Sequence, residues 1–321
     1  MISLSKRIYR EVLQYCRSSG LIEKLEQSLA IPERERFNQL NISKHGLGVL
    51  DAVHCVYDKA RSFIFLEELE RLANVHIAIE AGIGTGLLSF LMAARGIVVH
   101  GVELNPEVLD LASKIKNHLA KQGVIDESSI HFRLADATTY SPSIAADVLV
   151  SENLYTGMFY EKQVDIMNNL LSHARKDAIC IPKGLKSYVS LAETVFPREP
   201  KHAEMFVPGS EQGFDMKSNV LSETFEYDYI DFTKKAPSGL DRDITLNIIR
   251  PGKVNSLLIG TEVLMPSGRV IGRHETVFLN NDIIIAIESI QSVVPKSRMS
   301  VRIKYAYGSR PEEGLFEVKR L

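Results

Sequence analysis

The 321-residue chain has no tryptophan and only three cysteines. Cys16, Cys55 and Cys180 stand far apart and form no CxxC pair, so neither a disulfide framework nor a zinc site is indicated. No apolar run approaches the roughly 18 residues of a membrane span. The first stretch, MISLSKRIYREVLQYCRSSG, is broken by charges and lacks the apolar region of a signal peptide. A cytoplasmic protein without membrane attachment is expected. Strong charge of one sign is also missing. A formal net charge of −2 argues against a general nucleic-acid binder, because phosphate neutralisation calls for a basic surface. It leaves a cationic protein or a small cation open as partner. What remains is 45% hydrophobic and 24% charged residues, the composition of an ordinary globular protein. The length fits two or three units.

Three textures follow one another. Residues 1–74 read as helices: SKRIYREVLQYCRSSG has apolar residues at helical spacing and ends on Gly20, and GVLDAVHCVYDKARSFIFLEELERLA continues in the same manner. Residues 75–183 alternate. HIAIEAG, IVVHGVE, SIHFRLAD, ADVLVSE and DAICIPKG read as strands, and GLLSFLMAARG, NPEVLDLASKIKNHLAKQG and KQVDIMNNLLSHARK as helices. Asn105 is an expected N-cap, with Pro106 just inside that helix. Apolar strands alternating with amphipathic helices indicate a parallel doubly wound sheet. Residues 184–321 carry strand-like runs punctuated by turns such as MPSG and LNND, which predicts an antiparallel sheet or barrel.

The first alternating strand runs into AIEAGIGTG, placing Gly82, Gly84 and Gly86 between a strand and a helix. Such a loop lets backbone approach a ligand closely. The dinucleotide fingerprint would want its third glycine at position 87, which is Leu87. GxGxG preceded by Glu80 instead resembles motif I of class I S-adenosylmethionine-dependent methyltransferases. The resemblance implies that Glu103, ending the second strand, accepts hydrogen bonds from ribose hydroxyls, and that Asp136, after the third strand, lies near the adenine. A carboxylate can hold a vicinal diol through two charge-assisted bonds.

The stretch SENLYTGMFYE, Ser151 to Glu161, carries two glutamates and three aromatic residues with no lysine or arginine. It follows the fourth strand, where such enzymes handle their substrate. The Asp/Asn-Pro-Pro-aromatic string of amino-directed nucleic-acid methyltransferases is absent. The stretch is similar to the double-glutamate loop of protein arginine methyltransferases, with Ser151-Glu152 and Tyr160-Glu161 matching both dipeptides and their separation. ICIPKGLKSYVSLAE and Gln212 to Met216 (QGFDM) extend the likeness. It implies a Rossmann-like core, an N-terminal helical segment, a β-rich substrate domain, S-adenosylmethionine as cofactor, and Glu152 and Glu161 as the acids that hold a guanidinium. A guanidinium stays cationic and presents five donors suited to paired carboxylates, while Tyr155, Phe159 and Tyr160 would exclude water and pack on the cation face. No metal is implied.

The chain also departs from that family. Its Thr-His-Trp string is missing, and the nearest histidine, His274 in IGRHETVFL, reads as a surface residue. Arg61 is a candidate partner for the cofactor's carboxylate, but its spacing to the glycine loop differs from the family's, and it reads more simply as a solvated helix residue. The β segment is shorter than the family's, which leaves less room for a dimerisation arm and keeps a homodimer open. A small-molecule methyltransferase and a non-catalytic cofactor-binding scaffold remain the other readings.

Overall fold

The computed structural model describes residues 3–29, 47–201, 203–207, 216–276 and 281–321. Five parallel strands form the first sheet: β1 (Ile77–Ala81), β2 (Val98–Glu103), β3 (Ile130–Leu134), β4 (Ala146–Ser151) and β5 (Ala174–Ile181), in the spatial order β3-β2-β1-β4-β5. The inner strands are apolar along their whole length because helices cover both faces; Ala78, Ile79, Val148, Leu149 and Val150 are fully buried.

Among the described residues, four helices precede this sheet: α1 (Leu4–Ser18), α2 (Leu21–Leu29), α3 (Val49–Tyr57) and α4 (Lys59–Glu70). The run GVLDAVHCVYDKARSFIFLEELERLA, read as helical, is thus split between two helices. Asp58 interrupts it, and its carboxylate caps the second helix by accepting the Arg61 N–H at 3.1 Å. Within the sheet, α5 (Leu87–Ala94) and α6 (Pro106–Lys121) follow β1 and β2, and Asn105 caps α6 through the Glu107 N–H at 2.9 Å, as expected. The last helix, α7 (Gln163–Leu170), is shorter than its sequence suggests, since Ala174–Lys176 already belongs to β5.

Beyond cis-Pro182 the chain forms antiparallel sheets. One contains the long strands β6 (Gly184–Thr194), β11 (Gly252–Leu264) and β13 (Ile283–Val293), flanked by β7 (Met205–Phe206) and β8 (Ser218–Val220), with β9 (Phe225–Asp231) also on β6 and β12 (Val270–Ile271) on β11. The other orders β10 (Gly239–Asn247), β14 (Arg298–Ala306) and β15 (Leu315–Arg320). Of the strand expected through RVIGRHETVFL, Val270–Ile271 forms β12 and turns follow through Thr276; its last residues lie outside the described ones. Most of QGFDM lies outside the described residues.

Candidate active site

β1 and β4 are neighbours although the chain visits β2 and β3 between them, and Ala81 pairs with Ser151 across the two strands. Gly82 and Glu152 therefore leave the carboxyl edge of the sheet side by side. Ligands of open parallel sheets bind in the crevice at such a reversal of strand order. A cavity of about 1400 Å³ opens there, and its walls include Gly82, Gly84, Glu80, Glu103, Asp136, Glu152 and Glu161. Seven of the eight residues expected at the site thus share one cavity. The eighth, Gly86, caps α5 with φ 85°, and a Cβ there would meet the Phe90 ring at 2.5 Å. It shapes the turn and lines no part of the wall.

The acids differ sharply in environment. Glu80 is buried on β1 and bonded by the Ser89 hydroxyl; desolvation, with help from the Glu103 charge, pushes its pKa up to about 8. Glu103 accepts the N–H groups of Leu104 and Asn105, both at 2.9 Å, and that of Gly84 at 3.2 Å. These bonds favour its charge, but burial outweighs them and raises its pKa. Asp136 stands at the exposed rim, held by the Thr138 N–H at 2.8 Å and hydroxyl at 2.7 Å, and its pKa is lowered. Glu161 is pushed up to about 7, first by burial and then by the Glu103 charge, against the pull of Arg61. Among the described residues its carboxylate accepts no hydrogen bond.

Glu152 has a partner that its own segment does not supply. Arg61 of α4 forms an ion pair with it, the two side chains being 12% and 10% exposed. The expectation of a solvated Arg61 is therefore corrected: the break at Asp58 turns this residue inward over the cavity. One donor on it is left over, since the buried Arg61 Nε has no hydrogen-bond partner.

The loop that carries the glutamates is tied down from both sides. The buried Gln163 side chain accepts from the Ser151 hydroxyl at 2.8 Å and the Asn153 N–H at 3.0 Å, and donates to the Ser151 carbonyl at 2.8 Å. Asn153 donates to the Ala81 carbonyl at 3.0 Å, joining the loop to the glycine turn. From the β segment, Thr261 accepts the Gly157 N–H at 2.8 Å, the Tyr305 hydroxyl donates to the Gly157 carbonyl at 2.7 Å, and Ser309 accepts the Tyr160 N–H at 3.0 Å. These bonds hold Gly157, Met158 and Tyr160 at φ 66°, 58° and 61°, conformations that non-glycine residues adopt only when their surroundings impose them. Gln163, Asn153 and Tyr305 were not singled out in the sequence. A Gln two residues after the second glutamate was the one signal within reach.

Removing the Tyr305 hydroxyl should measure this clamp. Tyr305 also shares a bond of 2.9 Å with the Tyr227 hydroxyl, and both side chains are buried. Tyr305→Phe leaves the Gly157 carbonyl without its donor, at an expected cost of about 1–3 kcal/mol in urea unfolding. An unchanged midpoint would show that the clamp carries no stability.

The aromatic residues divide. Tyr155 and Tyr160 line the cavity with ring centroids 5.3 Å apart at 79°. Phe159 instead packs on Tyr305 and Phe316, with centroids at 4.5 and 6.3 Å, and belongs to the core. His274 lies in an exposed turn, its Nε2 3.1 Å from Asp282, which also accepts Arg273 Nε–H at 2.7 Å. It lines no part of the cavity. No group of three or more metal-ligating side chains occurs among the described residues, and no helix among them is long and apolar enough to cross a membrane.

No family model matches the chain. It is similar to an uncharacterized protein of Methanocaldococcus jannaschii, 26% identical over 254 residues that span 78% of this chain and 90% of the relative. A second uncharacterized protein, from Methanothermobacter thermautotrophicus, is 22% identical over 251 residues, again covering 78% and 90%. Among solved structures, the chain resembles the Trypanosoma brucei PRMT1 enzyme–prozyme heterotetrameric complex with AdoHcy, with a TM-score of 0.62 over 83% of this chain and 95% of that one at 14% identity. The chain shares that protein's fold: a parallel, Rossmann-like sheet with helices, followed by antiparallel β sheets.

Proposed function

We propose that the protein is an S-adenosylmethionine-dependent methyltransferase whose cavity holds a cationic nitrogen, a guanidinium or an amine, at Glu152 and Glu161. The observation that carries this reading is that both glutamates line the same cavity as the glycine turn and Glu103. The likeness in fold to a protein solved in complex with the cofactor's product supports it.

The residues fit that cofactor. Gly82 and Gly84 have φ of 72° and 54°, and nothing lies nearer than 3.8 Å to where a Gly84 Cβ would stand, so a ligand can reach the backbone. Glu103 uses three of its roughly four acceptor sites on backbone N–H groups and keeps capacity for a ribose hydroxyl. The unpartnered Arg61 Nε–H suits an amino-acid carboxylate. When bound, the cofactor supplies an electrophilic methyl group on a sulfonium.

The chain's own part is orientation and charge. Glu152 and Glu161 would aim the nitrogen lone pair at the methyl carbon, and Tyr155 and Tyr160 would keep water from the cation. Glu161, with its pKa near 7, is suited to take the proton that the nitrogen loses, because a base tuned close to the working pH transfers protons most efficiently. Most of the acceleration would come from positioning and electrostatic complementarity. The division at residues 74 and 183 follows the same reading, with the β segment supplying the substrate wall; a homodimer is compatible with it.

The test is production of S-adenosylhomocysteine from S-adenosylmethionine with peptides and small amines offered as acceptors. Turnover lost in Glu152→Gln supports the reading. Retention of labelled cofactor without turnover on any acceptor would favour the scaffold.

A further inference from the structure

We propose that Arg61 and Glu152 form a latch that couples the two ligand positions of the cavity: an anion that engages Arg61 releases Glu152 for a cation. The inference rests on the cofactor reading above and goes beyond it, because it assigns the binding order and its cause to one ion pair.

Three observations carry it. The pair is nearly buried on both sides, Arg61 and Glu152 both line the cavity, and the buried Arg61 Nε has no hydrogen-bond partner. The backbone of Arg61 is fixed: its N–H is held by Asp58, and Glu68, two turns further along α4, is bonded by Ser267 of the turn before β12. Only the side chain is left to move. Finally, acids surround the pair: Glu161, which feels both Arg61 and Glu103, and Glu103 line the same cavity, and Asp58 stands at the helix start, with the Cys55 thiol beside Arg61.

A buried ion pair resists losing one partner, because a bare charge then remains in a dry site. Arg61 therefore leaves Glu152 only for another anion, and Glu152, once bare, draws a cation. The two ligands bind with positive coupling, and the coupling is reciprocal. In the uncoupled state a guanidinium would meet a glutamate already neutralised.

Calorimetry with two nucleosides separates the cases. S-adenosylhomocysteine carries a carboxylate, and 5′-methylthioadenosine lacks it. Agmatine, as a guanidinium probe, should bind about fivefold or more tightly to the first complex than to the second, the lower end of common allosteric couplings. Glu152→Gln should tighten S-adenosylhomocysteine by about the same factor, leave methylthioadenosine unchanged and erase the agmatine difference. Glu161→Gln removes a like charge without freeing Arg61, and should shift S-adenosylhomocysteine by less than about twofold. Glu152→Gln binding S-adenosylhomocysteine no better than wild type overturns the latch, as does equal agmatine affinity, or none, in both wild-type complexes. Failure of both nucleosides to bind wild-type protein overturns the cofactor reading, and the latch with it.

Discussion

Glu161→Gln is expected to stabilise the protein at pH 8 while lowering methyl transfer by about 10²–10³-fold. The stability effect follows from the direction of the pKa shift. Burial raises the Glu161 pKa to about 7, above its value in an unfolded chain, so the folded protein holds the proton more tightly. The group's contribution is complete below the unfolded pKa and is lost as pH rises through the folded one. At pH 8 the charged carboxylate opposes folding, whereas a glutamine, which resembles the protonated acid, does not. A gain of about 1–3 kcal/mol at pH 8, shrinking toward pH 5, is the expected result in urea titrations at the two values. Equal midpoints for variant and wild type at pH 8 would show that Glu161 is not held in a desolvated place.

Gly82→Ala should disable the other half of the cavity. The residue has φ 72°, and an added Cβ would stand 2.6 Å from Asn153 Oδ1 and 2.9 Å from Nδ2. Asn153 cannot yield freely, because its amide also bonds the Ala81 carbonyl and the Ser151 hydroxyl, at 3.0 and 2.9 Å. The change strains one turn and displaces the residue next to Glu152. A loss of about 1–3 kcal/mol in stability and at least about tenfold in S-adenosylhomocysteine affinity, equal to 1.4 kcal/mol of binding, is expected. Gly84→Ala is the informative companion. Its Cβ would meet only the Ala52 methyl at 3.8 Å, so it should lower affinity while costing less stability than Gly82→Ala. Unaltered affinity in both variants would remove the glycine turn from the ligand site.

The difference between these two glycines marks how far the sequence could be read. The strand–glycine–helix texture, the N-cap at Asn105 and the acids at Glu80 and Glu103 are local features, and each lies where its neighbours in sequence imply. Arg61 could not be read that way. It meets Glu152 only because β1 and β4 are adjacent and because Asp58 starts a new helix that aims it inward. Phe159 was misread for a related reason. An aromatic between two cavity residues looks like a wall residue, until the turn at Gly157 and Met158 rotates it into the Tyr305 and Phe316 cluster. The long-range bonds to Gln163, Thr261 and Tyr305 leave almost no local trace, although they fix the conformation of the glutamate loop.

What faces the two glutamates can be settled by identifying the atom that becomes methylated. Purified protein and its Glu152→Gln variant would be incubated with methyl-labelled S-adenosylmethionine and an extract of the source cells, and the products hydrolysed and separated. Label in methylarginine or in a methylated small cation, absent with the variant, is the result expected here. Label on oxygen, on carbon or on nucleic acid, or label undiminished in the variant, would contradict a cationic nitrogen held by Glu152 and Glu161.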